Sequence, residues 1–211
     1  DVWADLYRIP YKTCALSADW HINPEDYKQE NGGIIFPNPN APTGLELAQS
    51  EVERIIAGNP DSIVIVDEAY VDFGAKSALP LLKKYDNLLV VQTFSKSRSL
   101  AGARLGFAVG NRELIRDLNT IKYSTNPYNI NRLTQIAGAA TVDAEEYTSA
   151  CCREIMETRA YTTEELQKLG LRVLPSYANF IFAESDRVEG GELYRQLKAR
   201  GILVRHFDKP R

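Results

Sequence analysis

The chain has 211 residues and a net charge of −3, and its apolar and charged fractions, 44% and 25%, are ordinary for a soluble globular protein. Scattered lysines and arginines exclude a basic nucleic-acid surface, and no apolar stretch approaches the ~18 residues of a membrane span. Three cysteines, two of them adjacent, do not make a disulfide framework. We therefore expect a cytoplasmic protein without a nucleic-acid or membrane partner.

Strand-like and helix-like segments alternate along the chain, which predicts an α/β domain with a largely parallel sheet. The unbroken β-branched run of residues 63–66 predicts a strand covered on both faces. Thr43 is a candidate cap for the first of the longer helices. The predicted strands of this half are residues 34–36, 63–66, 88–92 and 105–109, and the predicted helices are residues 45–57, 79–85 and 112–121.

A long helical pattern without glycine or proline follows at residues 143–169, and we expect it to link two domains. A strand at 179–183, a helix at 191–199 and a strand at 202–207 then predict an α+β module. The expected domains are residues 1–150 and 151–211.

Residues 92–107 contain the pattern that points most directly to chemistry. Lys96 lies between Ser95 and Ser97, and Arg104 follows eight residues later. An amine beside hydroxyl groups and an arginine fits a cofactor that needs a Schiff base next to a phosphate, as pyridoxal phosphate does. By itself the pattern also fits a solvated loop lysine.

Two earlier segments add to this pattern. Residues 63–70 form a predicted buried strand that ends in Asp67 and Tyr70, at the carboxyl end where ligands bind in open α/β sheets. Residues 36–44 form a turn with three prolines and a glycine. Each segment also has a purely structural interpretation: an aspartate that caps a turn, a packed tyrosine, a rigid loop.

Taken in order, these three segments resemble the fold-type-I pyridoxal-phosphate-dependent aminotransferases. Residues 126–131, 175–182 and 201–207 extend the resemblance, which runs from about Leu6 to the end of the chain. It implies a three-layer α/β large domain with a mixed, mostly parallel sheet, followed by a smaller C-terminal α+β domain. Both domains would be incomplete at their outer ends, so we expect a fragment.

The resemblance also assigns roles to residues. Lys96 would form the Schiff base and move a proton on the substrate, Asp67 would pair with the pyridine nitrogen, and Tyr70 would bond the ring hydroxyl of the cofactor. Hydroxyl and guanidinium donors would hold the phosphate: Thr93, Ser95 and Arg104.

Three further positions follow from the resemblance with less support from the residues. Many relatives have an asparagine directly before Pro-Thr-Gly, but here that residue is Ala41 and the asparagine is Asn40, so either Asn40 takes the contact to the ring hydroxyl or the contact is lost. Asn179 and Arg205 correspond to substrate-side positions. His21 and His206 are not in metal-ligand spacing, so we expect no metal.

The implied reaction exchanges an amino group between histidinol phosphate and 2-oxoglutarate, in histidine biosynthesis, in a homodimer. The alternatives are an aromatic amino acid aminotransferase or a threonine-phosphate decarboxylase of the same fold, or a truncated chain that folds without turning over.

Overall fold

The computed structural model describes residues 2–208, so residues 1 and 209–211, at the outer ends of the two predicted domains, lie outside the described residues. The α-helices in this range are α1 (Val2–Tyr7), α2 (Gln49–Ala57), α3 (Arg112–Thr125), α4 (Arg132–Asp143), α5 (Glu145–Lys168) and α6 (Gly190–Ala199). The strands are β1 (Gly33–Pro37), β2 (Ile63–Asp67), β3 (Leu88–Thr93), β4 (Gly106–Gly110), β5 (Arg172–Val173) and β6 (Ala183–Glu184).

The main sheet has the order β1-β2-β3-β4. Strands β1, β2 and β3 are parallel, and β4 lies antiparallel to β3 at the edge. Strands β5 and β6 form a separate antiparallel pair. The mixed, mostly parallel sheet with intervening helices confirms the predicted α/β fold. Within residues 2–208, none of the helices combines the length and the apolar character needed to cross a membrane.

Helix α2 covers one face of this sheet with a buried apolar stripe made of Val52, Ile55 and Ile56. The opposing side chains alternate along three neighbouring strands, as a half-covered sheet requires. Burying each such aliphatic group contributes ~1.5–3 kcal/mol to stability. The buried strand residues are Ile34, Phe36, Val64, Val66, Leu88 and Val90.

The prediction that β2 is covered on both faces was wrong for the described residues. Val64 and Val66 are fully buried, but Ile63 is 38% exposed, and Ile35 of β1, which pairs with Ile65, is 69% exposed. Helix α2 and a short 3-10 helix (Leu79–Lys83), which replaces the helix predicted at 79–85, pack on one face of the strand. The β-branched run therefore reflects strand propensity more than burial.

The helix predicted at residues 45–57 begins only at Gln49, and Thr43 does not cap it. Leu47 instead lies outside the helix and is held by the Asn38 side chain. Asn38 accepts the Leu47 N–H at 2.8 Å and donates to the Leu47 carbonyl at 3.1 Å. A buried asparagine that satisfies both backbone groups competes directly with helix formation.

The last third of the chain contains less strand than its residues predict. No strand forms at 202–207 among the described residues, and the strand predicted at 179–183 is reduced to β6. Strand structure needs a hydrogen-bonding neighbour, whereas His206 stacks on Tyr194 of α6 instead. Helix α5 matches the pattern predicted at 143–169, and it crosses the boundary expected at residue 150, so the domain division stays a prediction.

Helices α1 and α4 were not predicted. Helix α4 begins at a local signal, because the Asn131 side chain caps it by accepting the Thr134 N–H at 3.0 Å. Its apolar residues lie outward: Leu133 and Ile136 are 80% and 60% exposed.

Candidate active site

The carboxyl ends of the three parallel strands lie next to one another at one edge of the sheet. Pro37 of β1 pairs with Asp67 of β2, which in turn pairs with Val91 of β3. The proline-rich turn follows β1, the segment with Tyr70 follows β2, and the lysine loop follows β3. The topology therefore brings the three sequence motifs to the edge where ligands bind in open α/β sheets.

Lys96 is half-buried, and its ammonium makes no hydrogen bond or ion pair within the part of the chain that the structure describes. Its Nζ lies over the Tyr70 ring, 5.4 Å from the centroid. A cation over an aromatic face is held weakly, by ~0.5–1 kcal/mol at exposed sites and more when desolvated. The Tyr70 ring thus orients the Lys96 amine, and no carboxylate among the described residues pairs with it.

The residues that flank Lys96 are held firmly. Buried Ser97 donates its hydroxyl to the Asp72 carboxylate, which joins the lysine loop to the segment after β2. Arg98 donates to the Thr141 carbonyl at 2.9 Å and pairs with Glu145 at 3.6 Å. The loop backbone is therefore fixed on the C-terminal side of a lysine whose own side chain is free.

Asp67 is half-buried at the end of β2. Its Oδ1 accepts the Ala69 N–H at 3.0 Å, and its backbone carbonyl accepts the Asn38 N–H at 2.9 Å. The Tyr70 ring packs edge-to-face on Phe180, with centroids 5.0 Å apart. These contacts set the Asp67 and Tyr70 side chains at one strand end, next to the lysine loop.

Thr93, Ser95 and Arg104 line one open cleft of about 450 Å³ beside β3 and β4. The Thr93 and Ser95 hydroxyls are 2.9 Å apart. Arg104 is exposed, has a left-handed backbone with φ of 54°, and uses Nη1 to bond the Ala101 carbonyl at 2.9 Å. Its remaining donors and the two hydroxyls suit an anion with several oxygens, such as phosphate.

Asn40 is buried within the proline-rich turn. Its Nδ2 donates to Thr43 Oγ1 at 2.7 Å, and its backbone bonds Leu45 and Gly44. The structure therefore assigns its amide group to the turn, and a contact with the cofactor stays a prediction.

The predicted substrate-side residues occupy different places. Asn179 is exposed, between Ala178 and Phe180, in a segment that the Tyr177 N–H joins to the Gly44 carbonyl at 2.7 Å. It thus lies in the segment that packs on the site. Arg205 is exposed, with its guanidinium over the Phe207 ring, 5.8 Å from the centroid, and the described contacts do not link it to the lysine loop.

Glu68 is a buried carboxylate next to the site. It accepts hydrogen bonds from the Ser77 hydroxyl at 2.7 Å, the Gln92 amide at 2.8 Å and the Ala78 N–H. Burial raises the pKa of the Glu68 carboxyl, against the opposing effect of these bonds. Because Glu68 is buried, its role is structural: its hydrogen bonds join β2 to β3 and to the loop that contains Ser77 and Ala78.

Two residues that support the candidate site could not be recognised from the sequence. Asp72, which holds Ser97, looks like an ordinary loop carboxylate. Arg159 on α5 looks like one of several charges on a long amphipathic helix, yet it bonds two carbonyl groups beside the site. Only their long-range contacts identify them.

Comparisons with known proteins agree with this arrangement. The sequence profile of the family described as aminotransferase class I and II matches residues 2–211. The curated histidinol-phosphate aminotransferase 2 of Dechloromonas aromatica (strain RCB) is 52% identical over 211 residues. That match includes all of this chain but only 59% of the relative, so the chain spans less than two thirds of the relative's length.

Solved structures give the same result. The histidinol-phosphate aminotransferase of Clostridium acetobutylicum superimposes with a TM-score of 0.89 at 25% identity, covering 97% of this chain and 64% of that one. The enzyme of that name from Sinorhizobium meliloti, solved in complex with pyridoxal-5'-phosphate, has a TM-score of 0.80 at 22% identity, covering 92% and 55%, and this second likeness concerns the fold. With the sequence match over its full length, the chain belongs to the aminotransferase class I and II family.

Proposed function

We propose that this chain carries the pyridoxal phosphate site of a histidinol-phosphate aminotransferase, which exchanges an amino group between histidinol phosphate and 2-oxoglutarate in histidine biosynthesis. The observation that carries the proposal is the half-buried Lys96 amine, free of hydrogen bonds and ion pairs among residues 2–208, next to Tyr70 at the carboxyl edge of the sheet. The name of the relative with 52% identity supports the choice of substrate.

The residues fit each functional group of the proposed cofactor. The aldehyde matches the Lys96 amine, and the phosphate matches the donors around the cleft of about 450 Å³. The pyridine nitrogen matches Asp67, whose Oδ2 has no hydrogen bond among the described residues, and the ring hydroxyl matches the Tyr70 hydroxyl, which is equally without one. The donor set for the phosphate is Thr93, Ser95 and Arg104.

When bound, the cofactor supplies a protonated ring that stabilises negative charge at the α-carbon of the amino donor. Asp67 would hold the ring nitrogen through its carboxylate. Lys96 would hold the aldehyde group through its amine, and its Nζ would accept the proton from the α-carbon of the amino donor. The Tyr70 ring would orient the Lys96 amine.

The remaining predicted residues take supporting roles in the proposal. Asn40 would reach the cofactor through Oδ1 or through the second N–H of Nδ2, because Nδ2 donates one of its two hydrogens to Thr43. Asn179 would contact the substrate from the segment whose Tyr177 N–H bonds the Gly44 carbonyl. Arg205 would bind an anionic group of the substrate.

We also propose a cytoplasmic homodimer. Apolar side chains on and before α4 are exposed within this chain, and they support a surface that another copy covers. All three cysteines are free, which agrees with a reducing compartment. The apolar residues are Tyr128, Leu133 and Ile136, which are 93%, 80% and 60% exposed.

The decisive experiment uses the intact protein that contains this chain. Pyridoxal phosphate is added, the visible spectrum is recorded, the sample is reduced with borohydride, and the labelled peptide is identified by mass spectrometry. We expect a pyridoxyl group on Lys96. Labelling of another lysine, or none, would contradict the proposal.

A substrate panel then separates the alternatives. Amino transfer from histidinol phosphate to 2-oxoglutarate supports the proposed reaction. Preference for an aromatic amino acid, or release of carbon dioxide from threonine phosphate, would replace it. Turnover by the intact protein but not by the 211-residue chain would identify this chain as an inactive piece.

A further inference from the structure

Arg159 of α5 joins two backbone segments that are distant in the sequence. Its Nη1 donates to the Phe73 carbonyl at 3.0 Å and to the Ala178 carbonyl at 2.6 Å. Phe73 and Ala178 are both fully buried. One guanidinium nitrogen therefore bridges the segment after β2 and the segment before β6.

No carboxylate accounts for the position of Arg159. Within residues 2–208 it makes no ion pair, and burial lowers the pKa of its guanidinium, with Tyr177 opposing the effect. A partly buried cation without a counter-ion is costly unless its donors are used. The two carbonyl bonds offset that cost, because hydrogen bonds from a charged donor are stronger than those from a neutral donor.

The two bridged segments carry the Tyr70 ring, over which Lys96 Nζ lies, and the Phe180 ring, which packs on Tyr70. Tyr70 lies three residues before Phe73, and Phe180 lies two residues after Ala178. The Tyr70 and Phe180 rings meet edge-to-face with centroids 5.0 Å apart, and Lys96 Nζ lies over the Tyr70 ring. The distance between the bridged segments thus sets how Tyr70 meets the amine.

We propose that Arg159 is a positioning residue for the cofactor and substrate site: by bridging the Phe73 and Ala178 carbonyls it fixes the ring pair of Tyr70 and Phe180 against Lys96. The inference rests on the proposed pyridoxal phosphate site. It assigns Arg159 of helix α5 a role in the site, although Arg159 is not one of the residues proposed to bind the cofactor. Asn179, between the two held residues Ala178 and Phe180, is placed by the same bridge.

The test compares three variants of the intact protein: Arg159→Met, Arg159→Lys and Arg153→Met. Arg153 is a matched control, since it is exposed on the same helix without a described partner. Two quantities are measured: the Kd for pyridoxal phosphate with the spectrum of the lysine-linked cofactor, and amide exchange of Tyr177 and Ala178 in the cofactor-free protein.

We expect Arg159→Met to weaken pyridoxal phosphate binding about tenfold and to speed exchange of the two amides about tenfold, because the bridge is lost. Arg159→Lys keeps a donor and should recover binding to within about threefold of the parent. Arg153→Met should match the parent in both measurements. Should Arg159→Met fail to fold, Arg159→Lys carries the test: a twofold to threefold loss of affinity (about 0.4–0.7 kcal/mol) with a shifted spectrum supports the inference, and affinity and spectrum equal to those of the parent overturn it.

Parent-like affinity and spectrum in Arg159→Met, even with lower stability, would overturn the inference and leave the proposed function intact. If the parent protein itself forms no adduct at Lys96, the proposed function falls, and the inference falls with it. Faster amide exchange with unchanged binding assigns Arg159 a purely structural role and also overturns the inference.

Discussion

The Nζ atom of Lys96 lies 5.4 Å from the centroid of the Tyr70 ring, although the two residues follow different strands. The aromatic face attracts the ammonium without desolvating it fully or giving it a carboxylate partner. No hydrogen bond or ion pair within the described chain has to break before the amine reacts. Residues that flank the lysine supply the rigidity that its own side chain lacks.

Replacing Lys96 with alanine should abolish the first half-reaction. A positioned amine that acts as nucleophile and base contributes at least ~10²–10⁴-fold, so we expect a loss of about a thousandfold or more in single-turnover amino transfer. Lys83→Ala, at an exposed lysine without a described partner, is the control. Turnover near that of the parent in Lys96→Ala would remove Lys96 from the mechanism.

Arg104→Met should weaken the binding of pyridoxal phosphate about tenfold or more, because a guanidinium fork to phosphate oxygens is lost from the cleft. Pyridoxal without its phosphate should bind the variant and the parent equally, which isolates the phosphate contact. Arg112→Met, at an exposed arginine without a described partner, should change neither affinity. If both ligands lose affinity alike in Arg104→Met, the phosphate assignment is wrong.

The bond from Ser97 to Asp72 should appear as an energetic coupling. Ser97→Ala and Asp72→Asn are each expected to lower the free energy of unfolding by ~1–2 kcal/mol, and the double variant to cost less than the sum, because the partners share one bond. Urea denaturation of the four proteins measures the cycle, with Asp61→Asn as an exposed control. Additive losses would mean that the two residues act independently.

The sheet and the site were predictable for local reasons. The β-branched and apolar runs at 63–66 and 88–92 predict strands wherever they pack, and a strand end that carries Asp67 predicts a ligand edge. The loop around Lys96 combines hydroxyls and an arginine in a short span, and together with the segments that end in Asp67 and Gly44 this made it a candidate site. These predictions depend on neighbours in the sequence, which is why they required no tertiary contacts.

What could not be predicted depends on distant partners. Residues 45–48 have helical periodicity, but the Asn38 side chain bonds both backbone groups of Leu47, which lies outside the helix. Residues 202–207 have strand propensity but no neighbouring strand in the described chain. Arg159 and Asp72 have ordinary surface chemistry in the sequence, and only the fold places them against Ala178 and Ser97.

Buried Glu68 should make stability depend on pH. Burial raises the pKa of its carboxyl above the ordinary value of 4.5, so the folded protein retains a proton that the unfolded chain releases. The contribution of Glu68 to the unfolding free energy is therefore at its full value below 4.5 and is lost as pH rises through the raised folded pKa. Glu68→Gln cannot ionise and should remove this part of the decline.

Urea denaturation of both proteins between about pH 4 and about pH 8 tests this prediction. Glu30→Gln, at an exposed glutamate without a described partner, should keep the decline of the parent. If the unfolding free energies of Glu68→Gln and the parent change with pH in parallel, the Glu68 carboxyl has the same pKa in the folded and the unfolded protein, and the prediction is wrong.

Gly44 is the position where the proline-rich turn meets the segment that holds Asn179, and its replacement by alanine should be costly. Its φ is +79°, and an added Cβ would lie 2.9 Å from the Ser176 Cβ. The left-handed backbone costs ~1–2 kcal/mol and overpacking ~1–3 kcal/mol, so we expect a loss of about 3 kcal/mol. Gly102→Ala is the matched control, since a Cβ there meets nothing within 4 Å.

Gly44→Ala should also affect substrate binding, because the Gly44 carbonyl accepts the Tyr177 N–H at 2.7 Å. If the turn moves to admit the methyl group, the segment with Asn179 moves with it, and the KM for the amino donor should rise more than kcat falls. Ser176→Ala in the Gly44→Ala background removes the closest atom, the Ser176 Oγ, but leaves the Ser176 Cβ and the backbone strain, so it should recover only part of the stability. Full recovery would mean that crowding alone, and not the left-handed conformation, requires glycine at this position.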